Sequence, residues 1–183
     1  SSMVTEPLAS RLRQFAETEE QLILRDLRES YGRPDGTWAF EPTWQAGYSA
    51  GATADWAMFA LARFDQTGKA DFRDIVVAVA EAYLDALPTE DVDVWPMTFA
   101  HVISAQTAAY KLTRNLVYLE QACRYAQMAV EMFWQDSPLP KASLKTDHYE
   151  TITGADSLAL ALLEVHAALN NLDMEMPANT IDR

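Results

Sequence analysis

The chain has 183 residues, 49% of them apolar, and sets 27 acidic against 14 Lys and Arg side chains for a formal net charge of -13. That length fits one domain with a full core and no staples, while the acidic balance excludes partners bound through clustered Lys and Arg, namely nucleic acid and anionic membrane surfaces. A single cysteine, Cys123, excludes a disulfide framework and a thiolate metal cluster, and no apolar run approaches the ~20 residues that span a bilayer.

Ser1-Ser2-Met3 reads as a vector remnant, so residues 1–4 are set apart from a domain over 5–172 and a polar tail over 173–183. A leader removed with such trimming would leave no trace, and the compartment is not readable. From Thr5 to Ser30, Leu8, Leu12, Phe15, Leu22, Ile23 and Leu27 recur at helical spacing among Arg, Glu and Asp, the pattern of an amphipathic helix with one wet face. Pro34-Asp35-Gly36 then forms a turn, Pro presetting φ and Gly accepting positive φ.

The run from Thr43 to Phe64 is crowded with Ala and Gly and predicts a second helix ending by Gly68. Spacings of four, three and four stack Trp44, Tyr48, Gly51 and Asp55 on one face of it. A third helix is expected over Asp71–Leu87, closed by Pro88. An acidic loop with Glu90, Asp91 and Asp93 runs to Trp95 and Pro96. Met97 to Phe133 lacks Gly and Pro, so periodicity alone allows one long helix, which a repeat argument divides near Arg114-Asn115. A loop over Gln135–Thr151 precedes the last helix, Thr153 to about Leu172, whose Thr153-Gly-Ala-Asp156 start fits a capping box. No stretch has strand periodicity, so the fold class is all-α with about six main helices.

The chain matches itself twice. Thr67, Phe72 and Asp74 correspond to Thr113, Tyr118 and Glu120, which places a turn at Arg114-Asn115; Thr43, Thr98 and Thr151 each precede a Ser by six residues, a period of about 54. Short connections after the second and fourth helices, against long ones after the first, third and fifth, gather the long loops at one end of an up-and-down array. Even-numbered helices, poor in charge, are expected to form an inner layer within the odd-numbered ones.

The runs ADWAMFALARFDQTGKADF, AAYKLTRNLVYLEQACRYA and YETITGADSLALALLEVHAAL resemble hairpin repeats of the six-hairpin glycosidase-like superfamily. The resemblance implies antiparallel helical hairpins arranged as a partial α/α toroid, and the activities of that superfamily: glycoside hydrolase, polysaccharide lyase or sugar epimerase. Those toroids close with about six hairpins and this chain has three. That count fits half of a longer protein, an open arc, or a chain that pairs with a copy of itself, and no catalytic motif of a member transfers residue by residue.

The long-loop end collects Trp38, Trp44, Trp95, His148 and Tyr149 among Asp35, Glu41, Asp91, Asp93, Asp147 and Glu150. Aromatic faces stack on sugar C–H surfaces and carboxylates accept hydroxyl hydrogen bonds; the same aromatics could instead anchor loops to helix ends. Asp55, on a stripe with Trp44 and Tyr48, is the expected general acid or base, although a satisfied Asp bridging two helices has the same sequence signature. His148, between Asp147 and Tyr149, is the second proton-transfer candidate, with a plain surface histidine as its alternative. His101 would face the same cavity, or else be a core histidine bonded to a neighbouring helix.

Trp38, Glu41, Trp44, Tyr48, Trp95, His101 and Tyr149 thus form the expected binding set. Asp156 reads as a cap and His166 as structural. Glu90-Asp91-Val92-Asp93 lacks the spaced ligands and Gly of a calcium loop, and no His or Cys pair stands at zinc spacing. With no phosphate-cradling Gly loop and no Gly-x-Ser-x-Gly elbow either, neither metal nor cofactor is expected. The expected partner is a saccharide or other small polar ligand; the competing reading is a helical-repeat interaction module without chemistry.

Overall fold

The structure, a computed structural model, describes residues 6–44, 51–134 and 137–172, in two units divided between Ala39 and Phe40. The N-terminal unit carries α1 (Glu6–Tyr31). Its Pro34-Asp35-Gly36 turn forms as expected: Gly36 has φ 86°, and the Asp35 carboxylate accepts from the Thr37 amide at 2.9 Å and the Thr37 hydroxyl at 2.6 Å. Those two bonds hold the Asp35 carboxyl below its ordinary pKa. Arg28 donates to the Gly36 carbonyl at 2.6 Å and lays its guanidinium 3.7 Å from the Trp38 ring, which fixes the chain where it leaves the helix.

The second unit holds α2 (Ala54–Thr67), α3 (Ala70–Ala82), α4 (Pro96–Thr113), α5 (Leu116–Phe133) and α6 (Ala155–Leu169), the last preceded by a 3-10 turn at Thr151–Thr153. All six helices lie where periodicity expects one, and no strand occurs among the described residues. The fold is all-α, built on helical hairpins.

The two short hairpin connections are built alike. The residue after α2, Gly68, and the residue after α4, Arg114, both adopt left-handed backbone, φ 66° and 62°. In each, a Thr hydroxyl closes the last turn: Thr67 donates to the Arg63 carbonyl and Thr113 to the Ala109 carbonyl, both at 2.7 Å. The same hydroxyls accept from the amides of Lys69 and Asn115. Phe72 and Tyr118, five residues after each Thr, are buried. The Thr67 and Thr113 self-match is therefore a real repeat of geometry. A glycine supplies positive φ at one copy without strain; the other copy forces it on an arginine.

The second self-match has no such counterpart. Thr43 stands eleven residues before α2, Thr98 lies inside α4 and Thr151 opens the 3-10 turn, so the three are not equivalent positions. The expected inner layer of even-numbered helices also needs correction. Only α4 is enclosed, packing on α2, α3, α5 and α6 and burying thirteen of its residues, whereas α6 leaves Leu163 and Leu169 about half exposed.

Two helix ends differ from expectation, each for a tertiary reason. The second helix begins at Ala54, because Thr43 and Thr53 are tied into a polar loop: the Thr53 amide donates to Thr43 Oγ1 at 2.9 Å and Thr53 Oγ1 donates to the Glu41 carbonyl at 2.7 Å. The third ends at Ala82 and not Leu87, because the chain turns so that the carbonyls of Tyr83 and Ala86 share the Tyr125 phenol. The capping box is absent as well. Gly154, at φ 84°, is the residue before α6, and the Thr153 hydroxyl turns back to the Glu150 carbonyl at 2.8 Å.

Candidate functional site

The long connections of the second unit do meet. Tyr83, just past α3, donates its phenol to the Thr43 carbonyl at 2.5 Å and accepts from the Ala54 amide at 3.3 Å, joining the first long loop to the second. The Leu144 amide donates to the Val94 carbonyl at 3.1 Å, joining the second to the third. Asp93, part of the acidic loop read from sequence, is the main staple here. Its two oxygens accept from Ser143 Oγ and the Lys145 amide, both at 3.0 Å, while Lys145 Nζ donates to the Asp91 carbonyl at 2.8 Å. Near these loops the start of α2 faces α4. There a carboxylate and an imidazole from two different helices meet, with the imidazole in the interior.

Asp55, in the first turn of α2, accepts from His101 Nδ1 on α4 at 2.7 Å. An ionised carboxylate only accepts, so Nδ1 carries the proton and Nε2 faces away with its own hydrogen-bonding capacity. That Nε2 is buried and has no partner among the described residues. Burial is unequal across the pair: the His101 side chain is 4% exposed, the Asp55 side chain 31%. The carboxylate is thus the open end and the imidazole its buried support. Gly51 lies against Asp55 Oδ2 closely enough that a Cβ there would collide with it, so a residue without a side chain is what lets the carboxylate keep its place.

The other expected site residues are dispersed. Trp44 belongs to no helix. Its indole packs edge-on against Tyr83 at 5.3 Å between centroids and tilted against Phe99 at 5.0 Å and Tyr125 at 5.6 Å, which makes it a core anchor with its faces covered. This corrects the helical stripe joining it to Asp55; Tyr48, the stripe's other aromatic, lies outside the described residues. Trp38 sits in the N-terminal unit, 6% exposed beneath Arg28. Glu41 has an exposed side chain and contributes its carbonyl to the Thr53 hydroxyl.

Trp95 is half-buried at the residue preceding α4, and Tyr149 is 41% exposed. His148 stands on the surface of the third loop with Nε2 2.6 Å from Glu150 Oε1, its side chain 67% exposed; the adjacent Asp147 instead pairs with Lys141 at 2.9 Å. Asp156 and His166 are exposed.

Two buried polar contacts on this framework escape a reading of the sequence. Tyr83, fully buried, has its phenol pushed far above the ordinary range by burial, so it acts as a neutral donor to the loop. Glu164 on α6 is buried and accepts from Ser104 Oγ on α4 at 2.7 Å. The signal for it is spacing: Ser157, Ala161 and Glu164 follow at four and three residues on one buried stripe.

Among the described residues no group of three or more His, Cys, Asp and Glu is placed to hold a metal ion, and no described helix is long and apolar enough to cross a membrane. The chain matches no protein-family model, no curated protein and no solved structure.

Proposed function

We propose that the chain is a carbohydrate-active helical-hairpin domain of the α/α-toroid kind, binding a saccharide or similar polyhydroxylated ligand at the long-loop end. Asp55 is the proton-transferring and hydroxyl-binding carboxylate. His101 is a positioning residue behind it. The observation that carries this reading is the 2.7 Å Asp55–His101 pair, whose carboxylate is open to solvent while its imidazole is held in the interior. A buried imidazole bonded to one carboxylate oxygen fixes the direction of the other, and proton transfer depends on that orientation.

Elsewhere on the long loops, exposed Glu41 and Tyr149 and half-buried Trp95 and Glu150 are residue types that supply hydroxyl acceptors and stacking surface to a sugar. His148, two-thirds exposed on an open loop, has no buried group to orient it and is not given the role. Binding and turnover of neutral and acidic oligosaccharides, measured on the intact chain and on Asp55→Asn, His101→Gln and His148→Ala, test the reading. Asp55→Asn is expected to abolish turnover, His101→Gln to weaken it by about 10- to 100-fold by analogy with other groups that orient a reactive side chain, and His148→Ala to leave it intact. Full activity in Asp55→Asn rejects the assignment.

A further inference from the structure

The α1 helix presents two different faces. At 3.6 residues per turn, Glu20 and Leu27 fall together, and both are 3% exposed; that face is already covered. Leu8, Leu12, Phe15 and Leu22 fall within an arc of about 80°, roughly 100° round from it, and are 46%, 53%, 65% and 38% exposed. They form a continuous apolar strip about 21 Å long at 1.5 Å per residue, interrupted only by Glu19. A strip of that length with a charge at one point needs a partner that is apolar and supplies a cation at the matching place.

We propose that the strip pairs with its own copy, two α1 helices meeting antiparallel about a two-fold axis at Phe15. Residues equidistant from Phe15 then face each other. Seven residues to either side stand Leu8 and Leu22, and four to either side stand Arg11 and Glu19. Each Glu19 thus meets the Arg11 of the other copy while leucine meets leucine and the two Phe15 rings meet at the axis. Parallel pairing would oppose Glu19 to Glu19 and Arg11 to Arg11, so charge selects the antiparallel register. The contact is isologous and closes on itself as a dimer.

Sedimentation of the intact chain over the micromolar range is expected to show a species of twice 20.5 kDa. Phe15→Arg places two like charges at the axis and is expected to yield monomers with unchanged helical circular dichroism, since the residue is exposed. Glu19→Lys, facing Arg11, is expected to weaken association by roughly tenfold or more, and the double change Arg11→Glu with Glu19→Lys to restore it.

In a Cys123→Ser background, Phe15→Cys is expected to cross-link to itself on oxidation. Glu17→Cys, on the far side of the helix, is expected not to. A chain that stays monomeric overturns the proposal, including one that is monomeric but binds lipid vesicles through Phe15. So does a dimer whose affinity is untouched by Phe15→Arg, or a charge swap that restores nothing. None of these variants touches Asp55 or His101, so the dimer and the saccharide site succeed or fail separately.

Discussion

Two histidine–carboxylate pairs of nearly equal length, Asp55–His101 at 2.7 Å and His148–Glu150 at 2.6 Å, stand in opposite surroundings. His148 and Glu150 are two residues apart on an open loop, exposed by 67% and 44%. Water competes for both groups there, and a pair of this kind contributes little. Asp55 and His101 come from different helices, 46 residues apart, and the imidazole is inside. Its loss leaves buried polar groups without partners, which is the costly outcome. Bond length does not separate a structural or chemical site from surface decoration; the solvent around it does.

The comparison breaks most sharply at the frame around each pair. Trp44→Ala empties the aromatic cluster of Tyr83, Phe99 and Tyr125 beneath the start of α2 and is expected to cost about 3–5 kcal/mol. Tyr149→Ala beside His148 is expected to stay within about 0.5 kcal/mol. Chemical denaturation measures both. Comparable losses would mean that the two surroundings do not differ as described.

Within the pairs themselves, Asp55→Asn should cost roughly 1–3 kcal/mol by leaving the buried imidazole poorly matched, against at most about 1 kcal/mol for Glu150→Gln on the surface. Equal costs would remove the distinction. Gly51→Ala is a finer probe, because its Cβ would collide with Asp55 Oδ2. It is expected to cost about 1 kcal/mol and to shift the His101 ring resonances in NMR spectra while leaving those of His148 in place. Unmoved His101 signals would mean that the carboxylate accommodates the methyl elsewhere.

A pH-dependent effect extends the comparison to Tyr118 and Glu81, where a buried phenol donates to a carboxylate at 3.2 Å. Burial and the Glu81 charge push its pKa up to about 12. Since an unfolded tyrosine titrates near 10, the protonated folded state is favoured below that value. Stability is therefore lost as pH rises from about 10 through about 12. Tyr118→Phe is expected to flatten part of that decline, with Tyr83 and Tyr125, also raised by burial, supplying the rest in the same direction. A decline identical in Tyr118→Phe would assign it wholly to the other two.

Helix identity was legible because it depends on neighbours three and four residues away, which are adjacent in the sequence itself. So was the Thr67 and Thr113 repeat, whose hydroxyls close their own helix ends. The candidate site was only half legible. Asp55 and His101 each stood out as polar residues in apolar stretches. Nothing local said that they bond to each other, and the stripe drawn through Trp44 and Tyr48 assumed a helix that begins eleven residues later.

The sequence by itself determined an acidic, all-α chain with six helices, two look-alike hairpin turns and long loops after alternate helices. Tertiary structure decided the rest: that Thr43 and Thr53 knot a loop beneath Tyr83 instead of starting a helix, that Trp44 is core, and that His101 lies behind Asp55. Those outcomes depend on which helix faces which across 40 or more residues. The enclosure of α4 by four neighbours settles that, through burial of whole faces that no local spacing encodes.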